Sequence, residues 1–159
     1  MLGDIHGVGV KDDHVGQLGA RISDMPVHSD VATGLAYLKD AGFSIVTLTN
    51  SSRSAAPDAL DKAGLGPLFD QRFTVDTVRR FKPTPATYQL VQDAMDAEPD
   101  VTWMIAAHTW DTIGAQAFGW NAALITRGVN APLELDGVPL PTLVVPDVSH
   151  AAQAIVAQR

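Results

Sequence analysis

The chain has 159 residues, 46% hydrophobic and 18% charged, which is one domain's worth with apolar surface enough for a core and argues against disorder. Cysteine is absent, so disulfides, thiolate metal sites and a cysteine nucleophile are excluded. With 11 Lys+Arg against 18 Asp+Glu the formal net charge is −7, a field that repels phosphate backbones and makes nucleic acid a poor partner. No stretch approaches the ~20 apolar residues that span a bilayer, and the first residues carry no basic, signal-like region. The expectation is a soluble cytoplasmic protein with no membrane partner.

In chain order, a first helix is expected from Asp12 or Asp13, with Val15, Leu18 and Ile22 on one face. Gly16 and Gly19 weaken it, and Asp24-Met25-Pro26 ends it. Ser29 can cap a second helix whose apolar face is Val31, Leu35 and Leu38, with Lys39 in its last turn and Gly42 beyond its end. Residues 43–48 read as a buried strand and Thr49-Asn50-Ser51-Ser52 as the polar turn after it. A helix then runs to about Ala63, closed by Gly64, and Phe73-Thr74-Val75 forms a brief strand. Thr84 and Pro85 start a helix with Tyr88, Val91 and Met95 on one face. Residues 101–106 form another buried strand, and His108-Thr109-Trp110-Asp111 is its turn. The next helix runs to Phe118 and stops at Gly119. Residues 122–125 are a strand, and a proline-containing loop over 128–141 leads to a last strand at Leu143-Val144-Val145. Ser149 is expected to cap the final helix. Strands alternating with helices imply an α/β sandwich with a mainly parallel sheet. In such sheets ligands sit beyond the carboxyl ends of the strands.

Three polar segments fall there. Thr49-Asn50-Ser51 offers a hydroxyl, an amide and early-helix N–H groups to an anion, and equally reads as an ordinary helix cap. Arg79-Arg80-Phe81-Lys82-Pro83 is the densest cationic run of an acidic chain; it is either a solvated loop or, through Lys82 fixed ahead of a helix, a partner for a carboxylate. At about 4 Å and an intermediate dielectric such a pair is worth about 4 kcal/mol. Asp111 can position water or pair with Lys82, or simply sit in the first turn of a helix where the dipole favours an acid. His108 and Trp110 beside it are pocket lining or loop packing. Gly3-Asp4-Ile5-His6-Gly7 echoes a metallophosphoesterase metal motif, but too little chain precedes it for a strand and no Asn-His-Glu segment follows, so it is read as coincidence.

Taken together, FSIVTLTNSS (43–52), FTVDTVRRFKPTPATY (73–88) and MIAAHTWDTIGAQAFG (104–119) resemble the type II 2-haloacid dehalogenases of the haloacid dehalogenase (HAD-like) superfamily, from about Pro26 to the last helix. The resemblance implies a Rossmann-like three-layer α/β/α core with a helical cap. It also implies hydrolysis of (S)-2-haloalkanoates to (R)-2-hydroxyalkanoates: an Asp displaces halide, and water opens the resulting ester. By this likeness Thr49 and Asn50 hold a substrate or nucleophile carboxylate, Lys82 pairs with the nucleophile, Tyr88 supports the site, His108 and Trp110 line it and Asp111 organises the hydrolytic water. The catalytic set is therefore Lys82, Asp111, Thr49 and Asn50, and the substrate-binding set Tyr88, His108 and Trp110. The phosphatases of the superfamily carry paired acids in the last motif for magnesium, where this chain has one, so no metal and no cofactor are expected. Many members have serine at the place of Ala106 and asparagine at that of His108.

The larger departure is at the front. The nucleophile of this family ends a first strand in an Asp-x-x-Gly-Thr-like motif. Asp4-Ile5-His6-Gly7-Val8 mimics part of it, but no strand precedes Asp4. Residues 1–25 are expected to be the remnant of a helical cap and 26–159 an incomplete core, with the nucleophile strand and most of the cap missing and no turnover by the chain alone. That strand would lie mid-sheet, and its loss would expose two strand edges. The expected partner is a small anionic, 2-haloacid-like substrate, with a homodimer as a further possibility. The alternatives are a non-catalytic remnant that binds a small anion or a partner protein, and a magnesium-dependent phosphatase.

Overall fold

In the computed structural model, which describes residues 5–7, 9, 11–51 and 59–159, helices and strands alternate along the chain. They are α1 (Asp12–Ser23), α2 (Ser29–Asp40), β1 (Val46–Thr49), α3 (Ala59–Lys62), β2 (Gln71–Thr74), α4 (Pro85–Met95), β3 (Trp103–Ala106), α5 (Thr109–Phe118), β4 (Asn121–Ile125), β5 (Leu143–Val145) and α6 (Val148–Val156). Asp4 and residues 52–58 of the helix expected after Ser52 lie outside the described residues.

Every strand pairing is parallel. β1 pairs with β2, Val46 opposite Gln71 and Thr49 opposite Thr74. β3, β4 and β5 form a second sheet in that order. Alternation along the strands divides the core into two layers. Ile45, Trp103, Ile105 and Leu143 meet α2 and α6 through Leu35, Leu38, Ala152 and Ile155. Val46, Leu48, Phe73 and Met104 meet α4 and α5 through Tyr88, Val91 and Ala115, with Trp120 closing that layer. Helices thus cover both faces of parallel strands, the three-layer arrangement expected.

α2 lies close against the start of α6. A Cβ on Gly34 would come within 2.9 Å of the Val148 backbone, so only glycine allows this approach. Asp30, in the first turn of α2, fastens the same corner. Its carboxylate accepts from both terminal nitrogens of Arg127, at 2.8 and 3.1 Å, and from the Val148 N–H at 2.8 Å. The Ser149 hydroxyl donates to the Asp30 carbonyl.

Several boundaries shift from expectation for local reasons. β1 begins at Val46 rather than Phe43, because the Asp70 carboxylate takes the ladder position opposite Ile45, accepting its N–H at 2.7 Å. β3 begins at Trp103 because residues 99–101 form a 3-10 turn and the Thr102 hydroxyl donates to the Glu98 carbonyl. β2 runs from Gln71 to Thr74, and Val75 opens a 3-10 turn capped by the Thr74 hydroxyl. Ser29 and Ser149 are not caps. His28 precedes α2, and Asp147 caps α6 by accepting the His150 N–H at 2.9 Å. Val15, Leu18 and Ile22 of α1 share a face as expected, but that face is exposed.

Among the described residues the two sheets are not joined. β1 and β3 are each half-buried along their whole length, whereas β4 is buried from Ala122 to Ile125. Between them runs a cavity of about 700 Å³, walled by Val46, Leu48, Met104 and Ile105 and reaching Lys82 and Asp111.

Candidate active site

The carboxyl ends of β1 and β3 are drawn together by one side chain. Lys82 leaves the chain just before α4, where Asn50 Oδ1 accepts its backbone N–H at 2.9 Å. Its ammonium donates to the Leu48 carbonyl at 2.8 Å and lies 3.0 Å from Asp111 Oδ1. Only 9% of the Lys82 side chain and 8% of that of Asp111 are exposed. A buried charge pair is tolerated when each charge has its counterpart, and here both do. The Lys82–Asp111 contact is an ion pair without hydrogen-bond alignment, so Asp111 Oδ1 remains a buried acceptor with no hydrogen-bond partner among the described residues.

Asp111 is held from behind. It occupies the first turn of α5, where the dipole favours an acid. The Tyr88 hydroxyl donates to its backbone carbonyl at 3.3 Å. Tyr88 was expected among the substrate-binding groups. It has no exposed surface, and its hydroxyl is engaged by the backbone carbonyl of Asp111. Burial, and then the nearby Asp111 charge, push its phenol well above the usual range, which keeps it a neutral donor at any physiological pH.

His108 and Trp110 stand at the rim. Their rings stack at 4.3 Å between centroids and 9° between planes, with both side chains exposed. His108 Nδ1 lies 3.8 Å from Asp111 Oδ2. Thr49 Oγ1 accepts the Ser51 N–H at 3.0 Å and shapes the turn after β1. Lys82, Asp111, Asn50 and Tyr88 are thus linked by direct contacts, Thr49 adjoins Asn50, and His108 and Trp110 flank Asp111. Among the described residues no group of three or more His, Asp or Glu side chains could hold a metal ion. The acid that a cation would need here, Asp111, is already paired with Lys82.

Two contributors were not picked out from sequence. The Leu48 carbonyl holds the ammonium, and a backbone acceptor leaves no mark in side-chain identity. Gly114 lies one helical turn after Asp111. A Cβ there would meet the Tyr88 hydroxyl and lie 2.5 Å from Pro83 Cβ, so glycine lets α5 approach both the Lys82 loop and α4. Its signal was a glycine inside a helix, where glycine ordinarily costs stability. Gly114→Ala is expected to destabilise the chain by about 1–3 kcal/mol through overpacking. Urea unfolding reads this directly, and an unchanged midpoint would show that the contact is slack.

The profile of the haloacid dehalogenase-like hydrolases matches residues 4–119. The chain belongs to this family. Its curated relatives include (S)-2-haloacid dehalogenase 1 of Pseudomonas sp. (strain CBS-3), 33% identical over 116 residues, 73% of this chain and 51% of that protein. (S)-2-haloacid dehalogenase 4A of Burkholderia cepacia is 30% identical over 132 residues, 83% of this chain and 55% of that protein. The chain therefore spans about half the length of these relatives. Among solved structures, the L-2-haloacid dehalogenase from Xanthobacter autotrophicus with chloropropionic acid covalently bound superposes with a TM-score of 0.84. It is 23% identical, and the match covers 99% of this chain and 72% of that one. At that identity the match establishes the fold, a HAD-like α/β core. None of the described helices is long and apolar enough to cross a membrane.

Proposed function

We propose that this chain carries the substrate-facing half of a 2-haloacid dehalogenase site, with Lys82 at its centre. The observation that carries the reading is the buried ammonium that ties the end of β1 to Asp111. A carboxylate delivered beside Lys82 is kept ionised by the adjacent positive charge. One of its oxygens attacks C2 of a 2-haloalkanoate, a carbon–oxygen bond forms, and halide leaves with the bonding pair. Water then adds to the ester carbonyl, the acyl–oxygen bond breaks, and the 2-hydroxyalkanoate departs with C2 inverted once. The carboxylate is restored and one proton is released.

In this reading Asp111 takes the proton from the attacking water, and Tyr88 and Gly114 fix where its carboxylate lies. Asn50 holds the Lys82 backbone, Thr49 shapes the turn beside it, and the His108–Trp110 pair forms an apolar wall for the halogen-bearing carbon. Residues 1–25 are assigned to the remnant of a cap, and the exposed apolar face of α1 supports that assignment. The single acid at the last turn, already paired with Lys82, weighs against the magnesium-dependent phosphatase.

The test is binding of (S)- and (R)-2-chloropropionate, followed by tryptophan fluorescence, with Trp110→Phe as the control for the reporting residue. Saturable quenching that favours the S enantiomer and vanishes in Lys82→Met is expected. No enantiomer preference, or magnesium-dependent phosphate release from phosphate esters, would sink the reading. Sustained halide release by the 159-residue chain alone, abolished by Asp4→Asn, would instead assign the nucleophile to Asp4.

A further inference from the structure

The Lys82 site is short of positive charge. The Lys82 ammonium donates to the Leu48 carbonyl and is paired with Asp111 Oδ1. What an ammonium has left after two partners is one donor, and the nucleophile carboxylate takes it in the dehalogenase reading. The Lys82–Asp111 pair is neutral as a whole, and the chain around it carries a formal net charge of −7. A 2-haloalkanoate brings a second carboxylate, which still needs a cation.

His108 is placed to supply it. Many members of the family have asparagine here, an amide that stays neutral, whereas imidazole is the side chain whose charge changes in the physiological range. His108 precedes the first turn of α5, and its Nδ1 lies 3.8 Å from Asp111 Oδ2, while Lys82 holds the other oxygen at 3.0 Å. The stack on Trp110 fixes the plane of the ring and leaves its nitrogens at the edge. The side chain is 61% exposed against 8% for Asp111, so an anion arriving from solvent meets the imidazole before the acid. Apart from Asp111 and Trp110 the ring has no partner among the described residues. The other titratable groups of this corner turn elsewhere. Lys82, from the loop before α4, and Tyr88, on α4, both reach Asp111 rather than the imidazole. β3 and β4, against which α5 also packs, carry none between Trp103 and Ala106 or between Asn121 and Ile125. Arg79 and Arg80 are exposed too, but neither is paired with Asp111 or His108.

We infer that His108, as imidazolium, receives the carboxylate of a short anionic substrate at the rim of the site, with Nδ1 toward Asp111 and the Nε2–H offered to the anion. Binding then takes up a proton. The neutral imidazole gains one from solvent, and the imidazolium meets the carboxylate in a charge-assisted hydrogen bond. One positive charge added beside a carboxylate at a half-solvated rim is worth about tenfold in affinity. That the anion is a 2-haloalkanoate rests on the dehalogenase reading; that a carboxylate binds with proton uptake does not.

The test is the affinity of the 159-residue chain for (S)-2-chloropropionate, followed by amide shifts in NMR between about pH 5.5 and about pH 8. The ligand is ionised throughout, so the slope of log affinity against pH counts the protons taken up on binding. Affinity about tenfold higher at the acid end is expected, with about half a proton taken up where the slope is steepest. His108→Asn is expected to bind at every pH as the parent does at about pH 8. His108→Arg keeps its charge and is expected to bind throughout as the parent does at about pH 5.5. (S)-2-Chloropropionamide carries no charge and is expected to show no slope. A slope that survives in His108→Asn, or that the amide shares, would overturn the assignment. Binding that favours the S enantiomer without any slope overturns the role of His108 and leaves the dehalogenase reading standing. Propionate bound as tightly as (S)-2-chloropropionate, with the same slope, supports the carboxylate receptor and overturns the dehalogenase reading. Absence of binding at every pH overturns both.

Discussion

Lys82→Met is expected to destabilise the chain by about 3–5 kcal/mol, the range for breaking a buried ion pair from one side. Methionine preserves the length of the side chain and removes the charge. Asp111 would then remain 8% exposed with no cation against it, and the Leu48 carbonyl would lose its donor. Urea unfolding measures the loss. Adding Asp111→Asn to the Lys82→Met variant removes the orphaned charge and is expected to recover part of the stability, giving a coupling energy above about 1 kcal/mol in the double-mutant cycle. The two consequences of Lys82 separate in that double variant, because stability returns and chemistry does not. A carboxylate about 4 Å from the ammonium gains about 4 kcal/mol at an effective dielectric of about 20, so halide release from (S)-2-chloropropionate at the proposed site is expected to fall about a thousandfold in both variants. A Lys82→Met chain within about 0.5 kcal/mol of the parent would mean that the pair is better solvated than its burial indicates.

The parts of this site legible in the sequence are those whose chemistry resides in side-chain type and order. Lys82 before a proline-started helix, and Asp111 in the first turn after a strand, could be matched before any contact was known. The three-layer fold was legible for the same reason, since alternating apolar strands and amphipathic helices dictate it. What could not be read were features that depend on how backbones approach. Ser29 and Ser149 looked like caps, yet Asp147 wins at α6 because its carboxylate reaches the His150 N–H, while the Ser149 hydroxyl turns to Asp30. Tyr88 was placed at the site by the family likeness alone, and the helix face it shares with Val91 packs into the core. The gap between β1 and β3 was expected from the family likeness. Whether the two strands would close on each other could not be read from sequence, and among the described residues they do not pair.

Asp30 is the most connected carboxylate that sequence patterning passed over, since an acid in the first turn of a helix is commonplace. Arg127 grips it through two nitrogens and the Val148 N–H adds a third donor, so three segments far apart in sequence meet on one side chain. Asp30→Ala strips partners from a guanidinium and an amide that are only partly hydrated, and is expected to cost about 2–4 kcal/mol in urea unfolding. The pH dependence carries its own signature. The Arg127 hydrogen bonds lower the Asp30 pKa from 3.8 to about 2, against the opposing effect of burial. A depressed carboxyl contributes stability that is complete above the unfolded value and disappears as pH falls through the folded one. Discounted for partial solvent screening, this group contributes about 1–2 kcal/mol, lost between about pH 4 and pH 2. The parent chain is therefore expected to lose stability more steeply across that window than Asp30→Asn, in which the group cannot titrate. Parallel slopes for the two proteins would mean that Arg127 holds Asp30 no more tightly in the folded chain than water does in the unfolded one.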